Sequence, residues 1–273
     1  NKNKKNPGFK TISIHHGESF SQDTGCIMPP IFPTSTFEHG NKGGFDYTRS
    51  GNPNFKILGN VLKSIENAEF CTVFGSGISA VTAIISSLKS GDKILCESNL
   101  YGCTIRMFEK IFRKFGIETF YFDFTNKDYI DQISKIKPAL IWLESPTNPL
   151  LKILNLKEIC NEANSRKIPI VVDNTFCTAV IQKPLELGAT LSLISTTKFI
   201  NGHSDALGGA VITNDEKWNN KMIFAQKSLG LNPSPFDSWL ITRGLKTLPL
   251  RIENQTENAT FISNKLKSHK SIY

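Results

Sequence analysis

The segment ALIWLESPTNPLLKILNLKEICNEANSRKIPIVVDNTF, residues 139–176, decides the fold class of this chain. It contains two short runs, ALIWLE and IPIVVD, that are apolar up to their last residue, as in strands buried on both faces of a sheet. Between these runs apolar residues recur at helical spacing, at Leu156, Ile159, Cys160 and Ala163. A strand, an amphipathic helix and a second strand predict a βαβ unit with parallel strands and a right-handed crossover.

The same alternation extends to both sides of this segment. Further strands are predicted in EFCTVF, KILCE, TFYFD, LSLIS and GGAVIT. Helical spacing predicts two more helices whose inner faces are Ile78, Val81, Ile85 and Leu88, and Ile105, Phe108, Ile111, Phe112 and Phe115. The chain is therefore predicted to be an α/β protein, with a mainly parallel sheet of the seven-stranded type and helices on both faces.

The composition excludes several classes of protein. The hydrophobic fraction of 39% and the charged fraction of 21% are those of a folded globular domain. No apolar run is long enough to cross a bilayer, and no signal peptide follows the basic N-terminus, so we expect a cytoplasmic protein that binds no membrane. The net charge of +8 comes from scattered lysines, which argues against nucleic acid. The six cysteines form no CxxC pair, so we expect reduced thiols and no metal site.

Three regions are expected along the chain. Residues 1–50 have many turn formers and little periodicity, which predicts an extended N-terminal arm. Residues 51–250 contain the α/β domain. Residues 251–273 are predicted to begin a long helix that leads into a C-terminal domain absent from this sequence. Because the sequence also starts without Met, we expect it to be a fragment.

Polar residues follow several of the predicted strands. They are Gly75–Ser76–Gly77, Glu144, Asp173 and the run from Ser195 to Lys198. Parallel strands carry their ligands at the carboxyl end of the sheet, so these residues are expected to meet there. The GSG turn precedes a predicted helix and could present backbone amides to a phosphate, although for this motif alone a tight turn without a ligand is the more common explanation.

The segment STTKFINGHSD, residues 195–205, is more specific. Lys198 follows a buried strand and comes after the hydroxyls of Ser195, Thr196 and Thr197. A lysine in a desolvated pocket has a lowered pKa and can form a Schiff base with an aldehyde. The alternative for any single lysine is an exposed side chain after a strand.

Two other residues suit a planar, cationic ring. Asp173 ends the IPIVVD strand, where a protonated pyridine nitrogen would offset the cost of burying its carboxylate. The alternative is an Asp that caps the next helix. Tyr101 opens a predicted helix in NLYGCT and could stack on such a ring, or it could be an ordinary core aromatic residue.

Taken together, the motifs of the chain carry a family resemblance. They are YTRSGNP (47–53), FGSGISA (74–80), NLYGCT (99–104), ESPTNP (144–149), VVDNTF (171–176), STTKFINGHSD (195–205) and RGLKTLPLR (243–251). In order and spacing they resemble the Cys/Met-metabolism enzymes that depend on pyridoxal 5'-phosphate (PLP). This family includes cystathionine γ-synthases, cystathionine γ- and β-lyases, methionine γ-lyases and O-acetylhomoserine sulfhydrylases. The resemblance implies PLP fold type I and a homotetramer built from two dimers.

The resemblance also implies a role for each matching residue. Lys198 would be the Schiff-base lysine, and Asp173 the partner of the pyridine nitrogen. Tyr101 would stack on the ring and help to activate the substrate amine. Gly77 and Ile78 would donate backbone amides to the phosphate.

Further residues would complete the cofactor site. Ser195 and Thr197 would add hydroxyls to the phosphate site, and Asn148 would lie beside the cofactor and the substrate carboxylate. Tyr47 and Arg49 would reach the phosphate of the neighbouring subunit's cofactor, so that two chains share each site. The family's carboxylate-binding arginine belongs to the C-terminal domain that this sequence lacks.

Three positions bear on the substrate. Asp46 and Arg106 resemble the enzymes that handle cystathionine, in which they could face the charged groups at the far end of the substrate. Cys103 instead resembles methionine γ-lyases. Two charged positions favour cystathionine γ-synthase, with cystathionine γ- or β-lyase, methionine γ-lyase and O-acetylhomoserine sulfhydrylase as alternatives.

Two alternatives from other classes are weaker. A PLP-binding fragment without activity would have no physical reason to keep Lys198, Asp173 and Tyr101 together. A Rossmann-type oxidoreductase would share the sheet, but the chain lacks the GxGxxG fingerprint and the acidic ribose partner.

Overall fold

The structure, a computed structural model, describes residues 7–15 and 25–272. In this part of the chain the strands are β1 Phe70–Phe74, β2 Lys93–Glu97, β3 Glu118–Phe122, β4 Leu140–Glu144, β5 Ile170–Asp173, β6 Leu191–Ile194 and β7 Gly209–Thr213. The helices are α1 Phe9–His15, α2 Pro53–Ile65, α3 Gly77–Ile85, α4 Gly102–Lys110, α5 Tyr129–Ile136, α6 Leu156–Ser165, α7 Thr178–Ile181, α8 Glu216–Ser228, α9 Pro235–Leu245 and α10 Leu248–Leu266.

The strands form one seven-stranded sheet in the order β1-β7-β6-β5-β4-β2-β3. Its neighbouring strands pair in parallel except at β7, which runs antiparallel to both β1 and β6. The prediction of a mainly parallel sheet is therefore confirmed. Because β1, β2, β4, β5 and β6 point the same way, their carboxyl ends share one edge.

Helices cover both faces of the sheet, as the apolar strands require. On one face α3, α4 and α8 pack against the sheet around Trp142, whose indole meets Phe108 edge-on at 5.3 Å between ring centroids. On the other face α2, α9 and α10 cover β1, β6 and β7, while α5 and α6 cover β2, β4 and β5. The four residues that predicted α6, from Leu156 to Ala163, are all buried in this second layer.

The predicted helix after β2 is shorter than its apolar pattern. Helix α4 ends at Lys110, and the chain continues as a 3₁₀ turn over Phe112–Phe115. A 3₁₀ turn has three residues per turn instead of 3.6, so the apolar positions leave the buried face. Ile111 and Phe115 are accordingly 49% and 66% exposed, and their predicted place on the inner face is wrong.

The N-terminal arm is irregular over much of its described length, but it begins with α1. Phe9 and Ile12 of this helix pack against the core formed by α2 and its neighbours, and Lys10 forms an ion pair with Glu253 of α10 at 2.8 Å. Residues 1–6 and 16–24 of the arm, and residue 273, lie outside the described residues. The long helix predicted beyond residue 250 begins slightly earlier, at Leu248.

Glu66, which follows α2, is a fully buried carboxyl group. Its Oε1 lies 3.5 Å from the Ser192 hydroxyl, and its Oε2 has no hydrogen-bond partner within the described residues. Burial raises the pKa of this carboxyl from 4.5 to about 8, against smaller lowering effects of Asn174 and Lys183. The folded protein therefore keeps a proton that the unfolded chain releases.

This difference predicts a pH dependence of stability. The contribution of Glu66 is complete below its ordinary pKa of 4.5 and is lost as the pH rises to about 8. Across this window one such group lowers the free energy of unfolding by up to about 1.4 kcal/mol per pH unit. We expect Glu66→Gln, which cannot ionise, to lose this slope in urea unfolding followed by circular dichroism. Glu118→Gln, at an exposed residue of β3, should retain it. Equal slopes for Glu66→Gln and the unaltered protein would contradict the prediction.

Candidate active site

A cavity of about 1070 Å³ opens at the carboxyl edge of the sheet. Its lining includes eight of the predicted site residues: Gly77, Ile78, Tyr101, Asn148, Asp173, Ser195, Thr197 and Lys198. Asp173 ends β5, Asn148 follows β4, and the run from Ser195 to Lys198 follows β6. Gly77 and Ile78 begin α3, and Tyr101 immediately precedes α4. The parallel sheet thus gathers residues that are up to 121 positions apart in the sequence, from Gly77 to Lys198.

Two neighbouring carboxyl groups, those of Asp173 and Glu144, line the cavity. Asp173 and Glu144 are paired across the end of strands β5 and β4. Asp173 accepts a hydrogen bond from the Thr175 amide at 3.0 Å, yet burial raises the pKa of its carboxyl above the usual range. Burial, together with the charge of Asp173, raises the pKa of Glu144 to about 8. The pair therefore favours a cationic partner, which would stabilise the charged form of Asp173.

Lys198 lies in the turn that follows β6. Its residue is exposed in the structure, so the desolvated pocket expected from the sequence is not formed by this part of the chain. The open cavity explains the difference, because the lysine faces space that a ligand of cofactor size could fill. Its amine is accessible for covalent attachment.

Arg251 of α10 fastens the segment that carries Lys198. Its guanidinium donates hydrogen bonds to the carbonyls of Phe199 at 2.7 Å and Ile200 at 3.2 Å. It also donates to the Gly244 carbonyl at 2.9 Å and to the Thr247 hydroxyl at 3.0 Å. The segment after Lys198 is thereby tied to α9 and α10. No local pattern in the sequence indicates this role, because Arg251 is 52 residues away from Phe199.

The start of α3 forms a cradle next to the lysine segment. The amides of Gly77 and Ile78 are in the first helical turn, where backbone N–H groups have no carbonyl partner within the helix. A Cβ on residue 77 would lie 2.9 Å from the Ser195 Cβ, so only glycine allows the two segments to approach. The amides and the Ser195 hydroxyl therefore surround one small space, which suits a phosphate.

The three hydroxyls before Lys198 have different environments. Ser195 and Thr197 line the cavity, whereas Thr196 is fully buried and its Oγ1 has no hydrogen-bond partner in the described part of the chain. The Thr197 hydroxyl donates to the Gly208 carbonyl at 3.2 Å and accepts from the Gly208 amide at 3.0 Å. Thr197 would have to redirect its proton to bind a phosphate.

Tyr101 immediately precedes α4, lines the cavity and is 40% exposed as a residue. A hydrogen bond with the Cys103 side chain raises the pKa of the Tyr101 phenol, and nearby Arg106 opposes this effect. Arg106 also donates to the Cys103 Sγ at 3.6 Å. The phenol is therefore protonated at neutral pH in the free chain and can donate a hydrogen bond.

Four predicted site residues do not line the cavity: Asp46, Tyr47, Arg49 and Arg106. All four are exposed. The Arg49 guanidinium lies over the Tyr47 ring, 5.4 Å from its centroid, and donates to the Lys227 carbonyl at 2.9 Å. Within a single chain, the structure does not bring these residues to Lys198.

These features fit PLP as a ligand. The cradle at Gly77 can accept a phosphate, the carboxyl of Asp173 can pair with a ring nitrogen, and the Lys198 amine can react with an aldehyde. The described residues contain no group of three or more His, Cys, Asp or Glu side chains placed to hold a metal ion. Cys71, Cys96, Cys103, Cys160 and Cys177 are present as thiols. None of the described helices is long and apolar enough to span a bilayer.

Comparison with known proteins gives the same result. Residues 10–273 match the family described as Cys/Met metabolism PLP-dependent enzymes. A probable cystathionine γ-synthase of Herpetosiphon aurantiacus is 38% identical over 97% of this chain and 84% of its own length. A cystathionine γ-lyase of Dictyostelium discoideum is 39% identical over 96% of this chain and 69% of its own length.

Solved structures agree with the sequence relatives. Cystathionine γ-synthase from Xanthomonas oryzae pv. oryzae, in complex with cystathionine, superposes with a TM-score of 0.93 at 35% identity, over 97% of this chain and 70% of the other. The cystathionine γ-lyase CalE6 from Micromonospora echinospora also gives a TM-score of 0.93, at 34% identity over 97% and 71% of the two chains. The sheet, the cavity and the matched residues lead to one conclusion: the chain belongs to the Cys/Met-metabolism family of PLP-dependent enzymes and has the fold type I architecture.

Proposed function

We propose that this protein is a transsulfuration enzyme that makes cystathionine by γ-replacement. In the proposed reaction the Cγ–O bond of an O-acylhomoserine breaks and a bond forms between Cγ and the sulfur of cysteine. The acyl group leaves as a carboxylate, and the thiol proton is released. The observation that carries the proposal is the joint presence of Lys198 and Asp173 in one cavity, at the ends of adjacent strands.

The residues of the cavity divide the work of holding the cofactor. Lys198 would attach PLP covalently, and Asp173 would pair with the ring nitrogen. Gly77 and Ile78 would donate their amides to the phosphate, with the Ser195 and Thr197 hydroxyls beside them. Asn148 would lie next to the cofactor and the substrate carboxylate.

Bound PLP supplies an electron-withdrawing ring that takes up the electron pair released at Cα of an amino acid. The Lys198 amine would act as the acid and base that moves protons at Cα and Cβ of the substrate. Tyr101 would stack against the ring and hydrogen-bond to the substrate amine. Asp173, paired with a cation, would keep its charge despite the burial that raises the pKa of its carboxyl in the free chain.

We further infer that each site is shared by two chains of a homotetramer. Tyr47 and Arg49 are exposed and lie outside the cavity of their own chain, which suits residues that contact the phosphate in a neighbouring subunit. In this arrangement residues 1–50 are an arm that contacts the neighbour, residues 51–250 bind PLP, and α10 leads into a C-terminal domain. Cys96, Cys160 and Cys177 are buried and form no disulfide. This is expected of a protein in the reducing cytoplasm.

Cystathionine γ-lyase activity is the second candidate. Proteins named γ-lyase resemble this chain as closely as those named γ-synthase, for example the human cystathionine γ-lyase at 38% identity. Cys103, which interacts with Tyr101, is the position that resembles methionine γ-lyases. The lyase reaction would use the same Lys198 and Asp173 and differ in the fate of the substrate after the γ-substituent leaves.

Covalent trapping tests the role of Lys198. After incubation with PLP and reduction by borohydride, we expect one cofactor to be attached to the peptide that contains Lys198, as read by mass spectrometry. Lys198→Ala should lose this label entirely, because no other lysine of the described residues lines the cavity. Lys217→Ala, an exposed lysine of α8, should be labelled like the unaltered protein. Specific visible absorbance and label in Lys198→Ala would overturn the assignment.

Product analysis tests the reaction and the proposed role of Asp46. We expect O-succinylhomoserine and cysteine to give cystathionine, with slower release of keto acid and ammonia from cystathionine or methionine. Asp46→Asn should raise the KM for cysteine about tenfold, as expected for the loss of one charged contact, with less effect on kcat. Glu38→Gln, another exposed carboxylate of the arm, is the matched control. Unchanged cysteine kinetics in Asp46→Asn would refute this role, and cleavage without synthesis would favour the γ-lyase.

A further inference from the structure

Glu144 lines the cavity but has no place in the roles proposed above. It is the last residue of β4, is only 5% exposed, and is paired with Asp173 across the strand ends. Its Oε2 accepts a hydrogen bond from the Tyr101 amide at 2.8 Å, across 43 residues of sequence. The carboxyl group of Glu144 therefore connects the strand beside Asp173 to the start of α4.

Helix α4 depends on this contact because it lacks an N-terminal cap of its own. Tyr101 occupies the N-cap position without a side-chain hydrogen bond to the helix, and the first turn contains no acidic residue. In a capping box, a Glu or Gln at the third helical position accepts from the backbone N–H of the N-cap residue. Glu144 makes the equivalent bond to the Tyr101 N–H from another element of the fold.

The contact also determines where the Tyr101 ring lies. The ring is 40% exposed, and the described hydrogen-bonding contact of its phenol is with Cys103, two residues further along the same segment. The backbone of Tyr101 is thus fixed to the sheet by Glu144, while the ring has little packing to hold it. A shift at the start of α4 would move the ring relative to Asp173 and Lys198.

The protonation state of Glu144 suits this position. Three groups face its carboxyl: the Asp173 carboxylate, the Glu97 carboxyl at the end of β2, and the Tyr101 amide. Burial and the two acidic neighbours raise the pKa of Glu144 to about 8, and the amide lowers it. Below this pH Glu144 is neutral and accepts the hydrogen bond without a second full charge beside Asp173.

We propose that Glu144 is a positioning residue whose carboxyl accepts the Tyr101 amide and holds the start of α4, so that the Tyr101 ring faces the cofactor. The part of this inference that concerns the cofactor rests on the proposed function. The contact with α4 does not. If Glu144 only stabilised the helix, it would make the same hydrogen bond. Removing that bond would then change PLP binding equally with and without the Tyr101 side chain.

Hydrogen exchange tests the contact without any cofactor. In Glu144→Met the acceptor is lost at similar volume, and we expect the amides of Tyr101 and Thr104, of which the second donates to the Tyr101 carbonyl, to exchange about tenfold faster, as for the loss of one hydrogen bond of about 1.4 kcal/mol. Glu144→Gln retains a carbonyl acceptor and should exchange within twofold of the unaltered protein. Glu66→Met, the same change at a buried carboxyl outside the cavity, should leave these amides unchanged. Equal exchange in Glu144→Met and the unaltered protein would overturn the contact.

A double-mutant cycle then tests whether Glu144 acts through Tyr101. The measurement is the dissociation constant of PLP, read from its visible absorbance and circular dichroism in the full chain. We expect Glu144→Met to weaken PLP about tenfold when Tyr101 is present, but less than twofold in a Tyr101→Ala background. Glu144→Gln should bind PLP like the unaltered protein.

The outcomes separate the two proposals. Additive effects of Glu144→Met and Tyr101→Ala on PLP binding would overturn the positioning role and leave the proposed function intact. The same conclusion would follow if Glu144→Gln bound PLP as weakly as Glu144→Met. If the unaltered chain bound no PLP, the proposed function would fail, and the role of Tyr101 toward the cofactor would fail with it. If Glu144→Met does not fold, Glu144→Thr replaces it in both measurements. The Thr side chain is too short to reach the Tyr101 amide.

Discussion

The parallel pairing of β4, β5 and β6 is the constraint on which the rest of this protein depends. Parallel strands end at the same edge, so Glu144, Asp173 and the Lys198 turn meet although each belongs to a different βαβ crossover. Two carboxyls at neighbouring strand ends are costly to bury together, and burial raises the pKa of both. The site therefore favours a positively charged partner, which the ring nitrogen of PLP would supply in the proposed function. Lys198 belongs to none of the ion pairs of the described residues.

A second constraint comes from the helices around this edge. Most of the polar groups at the edge come from strand ends. The strands alone do not determine the positions of the segments that follow them, so each of these segments is held by a separate long-range contact. Arg251 ties the segment after Lys198 to α9 and α10, and Glu144 ties the start of α4 to the sheet. The close approach at Gly77 sets the distance between α3 and Ser195. The cavity is thus bounded by elements whose positions are determined by long-range contacts.

The sequence predicted the fold where a local pattern has one physical explanation. Runs such as LIWLE and IVVD are too apolar for anything but doubly covered strands, and all were confirmed. The pattern failed after Lys110, where apolar spacing continued but the backbone changed to a 3₁₀ turn. That change depends on Gly116, which adopts a φ of 79° and fits closely against Ser90. Neither condition is visible in the periodicity of the preceding residues.

The same distinction explains which site residues were predictable. Asp173 ends a strand and Lys198 lies in the turn after one, so the sheet determines where both are found. Glu144 also ends a strand, and its place at the edge was expected. Its role was not, because the contact is explained only by a helix that lacks a cap of its own. Arg251 could not be assigned from sequence, since its four hydrogen bonds go mainly to backbone carbonyls, which carry no side-chain signature. Residues that bind a ligand leave a chemical pattern in the sequence, whereas residues that hold the backbone around it become recognisable only when the chain is folded.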